Sequence, residues 1–167
     1  MSRRLFLSIE NRRPHISAHL RQQVADEARH RCGYCLTAEK YSGKRMHVEH
    51  IVPLAAGGSS KQENLWLSCA LCNGYKGSLT HAPDPVTGKM TSLFNPRTQV
   101  WSEHFAWSSD VIHVIGRTAC GRTTVEALRL NNAGSGYILT DRTPLCVVVV
   151  EIQLQHRFVV NVRFGEG

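Results

Sequence analysis

Apolar residues first recur at helical spacing at Leu20, Val24 and Ala28, while Arg21, Asp26, Glu27 and Arg29 fall on the other faces. With Ser17 in place as an N-cap after Pro14, this pattern predicts an amphipathic helix. Residues 46–52 read as a short strand stopped by Pro53, and a loop through Gly57-Gly58-Ser59-Ser60 leads to a second strand at Leu65-Trp66-Leu67. A short helix should follow through Asn73 and Lys76, weakened by Gly74 and Gly77. Beyond Leu79 a loop carries Pro83, Pro85, Gly88 and Pro96. Residues 101–107 and 111–115 then suggest a small hairpin, and Val125, Leu128 and Arg129 a helix over 123–130. The stretches 147–150 and 158–164 look like strands with no evident function. The expected class is α+β: helix, strand, loop, strand and helix, followed by a small α/β extension.

Composition narrows the picture. The 167 residues suit one domain with a sizeable core, or a small module with an extension. Charged residues at 20% and hydrophobic residues at 42% are a globular balance, but an aromatic share of only 7% leaves room for a metal to help stabilise the fold. A formal net charge of +7 favours a polyanionic partner, since each Lys or Arg meeting a phosphate releases a counterion. No apolar run approaches the roughly 20 residues that span a bilayer. The apolar stretch near the N-terminus is too short for a signal-peptide core. These features set the expectation of a cytoplasmic protein with no membrane partner; oligomeric state is left open.

Four of the six cysteines fall into two Cys-x-x-Cys pairs, Cys32/Cys35 and Cys69/Cys72. Two intervening residues bring both sulfurs to one side of a turn, so each pair can hold half of a tetrahedral zinc site. Gly33 is expected to let the backbone fold around the metal. A redox dithiol would explain one pair but not two, and a cytosolic compartment argues against disulfides. Buried core thiols and a disulfide-bonded secreted domain are the other competing readings. Cys120 and Cys146 have no partner at ligand spacing.

Between the pairs lies His47-Val48-Glu49-His50-Ile51-Val52-Pro53-Leu54, then Gly57-Gly58, then Glu63-Asn64-Leu65-Trp66-Leu67-Ser68, and after Cys72 comes Asn73-Gly74-Tyr75-Lys76-Gly77. This closely resembles the HNH endonuclease family, in the variant where two zinc knuckles bracket a ββα-metal site and Asn replaces the last His. The resemblance covers about residues 16–80. It implies a DNA endonuclease, with double-stranded DNA as partner, a structural zinc, and magnesium or another divalent cation for hydrolysis. By the same resemblance His50 is the general base, Glu49 and Asn73 hold the catalytic ion, and Asn64 braces the loop that orients His50. A neutral imidazole suits the base role at cellular pH, and a carboxylate with an amide oxygen suits a hard cation. The family more often has Asp or His where Glu49 stands.

Lys76, Arg45 and His47 are candidate nucleic-acid contacts. An exposed lysine and a solvated strand histidine are the plainer readings of Lys76 and His47. The other histidines share no spacing and are assigned to surface or packing. The resulting division is a basic arm over 1–14, a zinc-stapled HNH domain over 15–80, an extension over 81–131 and a tail over 132–167. Parts of 93–131 are similar to the extension of a bacterial HNH subgroup, and the tail from Ala133 departs from it. The alternative function is a non-catalytic, zinc-stabilised nucleic-acid-binding module.

Overall fold

The computed structural model describes residues 16–132 and the backbone of two further strands, 146–149 and 159–162. The basic arm over 1–14 and most of the tail lie outside the described residues.

Helix α1 spans Ala18–Glu27, and the Ser17 side chain accepts from the Leu20 amide at 3.2 Å, as its capping position predicts. Val24, Ala25 and Ala28 are buried. The helix stops where Arg29 and His30 both turn to positive φ, which carries the chain into the first cysteine pair.

Strand β1, His47–His50, pairs antiparallel with β2, Leu65–Ser68, in a register that sets His50 opposite Leu65 and Glu49 opposite Trp66. β1 is shorter than the predicted 46–52. Beyond it, Ile51 N still bonds Asn64 O at 2.8 Å, but the chain then turns through Pro53 into tight helical turns. Helix α2, Ala70–Lys76, packs on β1 and is capped by the Cys69 sulfur, which accepts from Cys72 N at 3.5 Å.

The predicted loop after Leu79 contains an unforeseen hairpin, β3 His81–Pro83 with β4 Met90–Ser92. Its strands are short and largely exposed, so no buried alternation marks them in the sequence. The turn is made by Asp84, whose carbonyl accepts from Gly88 N at 2.8 Å, and its carboxylate takes a bidentate pair from Arg122 at 2.9 and 2.8 Å.

The expected hairpin over 101–115 is partly corrected. Trp101–His104 form a helical turn, α3, and only Phe105–Trp107 (β5) pair with Val114–Gly116 (β6). The turn sets the Trp101 and Phe105 rings 5.1 Å apart and aims Trp101 Nε1 at the Tyr34 carbonyl, 2.8 Å away. Helix α4, Ala119–Ala127, starts and ends earlier than the predicted 123–130. Thr118 caps it through Gly121 N at 3.0 Å, and Arg129 leaves it at a φ of 48°. Strands β7, Cys146–Val149, and β8, Val159–Val162, pair with each other close to the predicted positions.

The fold is therefore mixed helix and small antiparallel sheets, and among the described residues one core runs through the cysteine-bracketed segment and the extension. Ala25 of α1, with Tyr34, Met46 and Leu67 from the first, meets Leu93, Phe94, Phe105, Val114, Leu128 and Leu130 from the second. Burial of these side chains, at about 25 cal/mol per Å² of apolar surface, couples the extension to the segment that carries the candidate site.

Candidate active site and zinc centre

The two cysteine pairs converge. The ligand atoms of Cys32, Cys35, Cys69 and Cys72 all lie within 4.8 Å of one another, and Cys35 Sγ is 3.8 Å from Cys69 Sγ. Four sulfurs at about 2.3 Å from a tetrahedral zinc would stand about 3.8 Å apart, so the cluster suits a structural zinc. Each pair sits at a backbone turn: Leu36 N returns to Cys32 O at 3.0 Å, and Asn73 N to Cys69 O at 2.9 Å. Hydrogen bonds from Cys32, Cys35 and Cys72 pull the Cys69 thiol well below its ordinary value, toward the thiolate a metal needs. Gly33 has a different use from the one expected. Its φ is not positive, but a Cβ there would lie 2.4 Å from the Trp66 ring, so the first knuckle is glycine because it packs directly on β2.

Beside this cluster, β1 places Glu49 inward. The residue is 5% exposed, the Tyr34 hydroxyl donates to its Oε1, and Lys76 Nζ lies 3.7 Å from its Oε2. Burial raises the Glu49 carboxyl to about 7, against the opposing pull of the Lys76 charge and the Tyr34 hydrogen bond. Burial and the neighbouring carboxylate push the Tyr34 hydroxyl well above its usual value, so it stays a donor.

Lys76 itself is 2% exposed and donates to the His50 carbonyl at 2.9 Å. It is not the surface lysine expected, and in this arrangement its ammonium is spent inside the protein rather than offered to a phosphate. Helix α2 turns it inward and two acceptors hold it there. Arg45 and His47, by contrast, are exposed.

His50 is half-buried, and its Nε2 lies 2.8 Å from Ser60 Oγ. Burial, then the nearby Lys76 charge, lowers its pKa, which favours the neutral imidazole. Asn64 closes the intervening loop on itself. Its Oδ1 accepts from Val52 N, and its Nδ2 donates to Val52 O and Ser59 O, each at 2.8 Å. The fit is tight enough that a Cβ at Gly58 would lie 1.8 Å from the Val52 carbonyl oxygen. Asn73, on α2 beside the cysteine cluster, is half-buried, and its side chain makes no hydrogen bond among the described residues.

A family model described as HNH endonuclease matches residues 32–79, from the first cysteine to the end of the turn after α2. This segment is an HNH domain. The chain is also similar to the Septu protein PtuB of Bacillus thuringiensis, 27% identical over 115 residues that cover 68% of this chain and 41% of that protein. It thus spans about two fifths of that relative's length. No solved structure gives a significant match. Together these findings place an HNH domain at residues 32–79 and a more distant likeness over a longer part of the chain.

Residues outside the HNH segment hold its hairpin in place. Arg97 lies 4.9 Å over the Trp66 ring, donates to the Leu65 carbonyl from Nε and Nη2 at 3.2 and 3.0 Å, and pairs with Glu27 at 2.6 Å. Glu27 also accepts from Gln62 in the loop between β1 and β2. Tyr34, Ser60 and this Arg97 clamp were not singled out in the sequence. Tyr34 lies between two metal-ligand cysteines and Arg97 is remote from the motif, so only the fold shows what they touch.

Proposed function

We propose that this chain is an endonuclease that hydrolyses phosphodiester bonds in DNA with a divalent cation. The observation that carries the reading is the state of His50: a half-buried histidine, favoured in its neutral form and held on a braced hairpin inside the HNH segment. A general base needs this protonation state at cellular pH. Glu49 and Asn73 offer a carboxylate and an amide oxygen, a donor set whose chemistry fits a hard cation such as magnesium. When bound, such an ion stabilises charge on the phosphate and the leaving oxygen. His50 takes the proton of the attacking water, and Asn64 keeps the loop that faces His50 in register. Exposed Arg45 and His47 lie on the same segment and are available to the nucleic-acid backbone.

One observation favours the second reading, a zinc-stabilised module that binds nucleic acid without cutting it. Glu49 already has a cation of its own in Lys76, and a divalent ion would have to share that carboxylate. The two readings separate in one experiment on zinc-loaded protein with plasmid DNA and a panel of magnesium, manganese, cobalt and nickel. Nicked or linear product in any of these supports the nuclease. A gel shift with intact plasmid in all of them supports the binding module.

A further inference from the structure

We infer that Ser60 is a positioning residue for His50: its hydroxyl takes the Nε2–H of the imidazole, leaving Nδ1 as the nitrogen that accepts the proton of the attacking water. This rests on the reading of His50 as the base and deepens it to a single atom.

Two independent sets of contacts bring the pair together. On one side, the His50 backbone is fixed in β1 opposite Leu65, and its carbonyl is gripped by the buried Lys76 at 2.9 Å. The ring torsions are then the remaining freedom of the residue. On the other side, Ser60 follows directly on Ser59, whose carbonyl is pinned by Asn64 Nδ2 at 2.8 Å. The same Asn64 clamps both the amide and the carbonyl of Val52, so the two ends of the loop are tied before Ser60 reaches across it. The Ser60 hydroxyl thus arrives 2.8 Å from His50 Nε2 as the last link of a chain running from Asn64 through the Ser59 carbonyl to the imidazole.

The proton count then selects the nitrogen. A neutral imidazole has one N–H and one lone pair, whereas a hydroxyl can donate or accept. If Ser60 donated to Nε2, the ring's lone pair would be used up and Nδ1 would carry the proton, leaving no base. If Nε2–H donates to Ser60, the lone pair is on Nδ1, which has no partner among the described residues. Only this second arrangement combines the observed contact with proton acceptance, and the second ring nitrogen sets the tautomer of the first. Asn64 accordingly acts at one remove, through the placement of Ser60.

The test uses the zinc-loaded full chain with 15N-labelled histidine, observed by long-range 1H–15N correlation at about pH 8, where an ordinary imidazole is neutral. Wild type should show His50 as the Nε2–H tautomer, Ser60→Ala should show a mixture of both tautomers, and Ser60→Thr should restore the wild-type pattern. In plasmid cleavage with magnesium, Ser60→Ala should lower kcat about tenfold with KM within about twofold, and Ser60→Thr should recover it. Unchanged zinc content and circular dichroism would show that the variants fold. An Nδ1–H tautomer in wild type overturns the inference, as does a Ser60→Ala protein with unchanged tautomer and kcat. If wild type cut no DNA, the nuclease reading would fail on its own, and the tautomer spectra would still decide whether Ser60 sets the ring.

Discussion

The ammonium of Lys76 lies 3.7 Å from the carboxylate of Glu49, and the two side chains are only 2% and 3% exposed. A pair so deeply buried is costly to break from one side, because the carboxyl left behind must either stay charged without water or take up a proton. Lys76→Met is therefore expected to destabilise the zinc-loaded protein by about 3–5 kcal/mol in urea unfolding. Glu49→Gln combined with Lys76→Met should cost less than the sum of the two single changes. A Lys76→Met cost below about 1 kcal/mol, the range of an exposed pair, would show that the ammonium is not held inside.

Four cysteines that bracket the β1–β2 hairpin should make folding and metal content inseparable. Elemental analysis should find one zinc per chain, and a strong chelator should abolish cooperative unfolding, since structural zinc contributes its binding energy directly to the folded state. Cys72→Ser should have the same effect as chelation. A chelated protein with an unchanged melting transition would contradict the zinc centre.

Burial and the Lys76 charge both disfavour the imidazolium of His50, so its folded pKa lies below the ordinary 6.5. His50 thus stays neutral, and if it acts as the proposed base, cleavage should hold its rate as pH falls to 6.5 and decline only beneath it. The same shift has a stability consequence of defined sign. Below 6.5 the unfolded chain takes up the proton first, so the stability associated with neutral His50 is present above that pH and lost as pH falls toward the folded pKa. A pH profile of kcat whose acid limb sits above 6.5 would contradict this.

Arg97 joins the extension to the HNH hairpin through Glu27, the Leu65 carbonyl and the Trp66 ring. Arg97→Ala should cost about 2 kcal/mol of stability and raise hydrogen exchange at Ile51, whose amide bonds Asn64 O next to the clamped Leu65. Unchanged exchange there would mean that the extension covers the hairpin without bracing it.

What could be read from the sequence was local. The Ser17 cap and the two Cys-x-x-Cys turns each lie within a few residues of the feature they announce, and α1, the β1–β2 hairpin and α2 occur close to where the pattern put them. What could not be read depends on residues brought together from far apart. The Tyr34 hydroxyl and the Lys76 ammonium are ordinary polar groups until the fold closes them on Glu49. Trp101 looked like the start of a strand because its helical turn is fixed by a contact to Tyr34, far back in the chain. The hairpin 81–92 was missed because it is exposed, and exposed strands carry no hydrophobic alternation.

The central claim is that His50 is the base of a phosphodiester-cleaving site. It is tested most directly by plasmid cleavage with magnesium or manganese, comparing wild type with His50→Ala. Removing a general base should lower the rate by about 10²–10⁴-fold while zinc content and melting temperature stay at wild-type levels. Cleavage by His50→Ala at the wild-type rate would contradict the account.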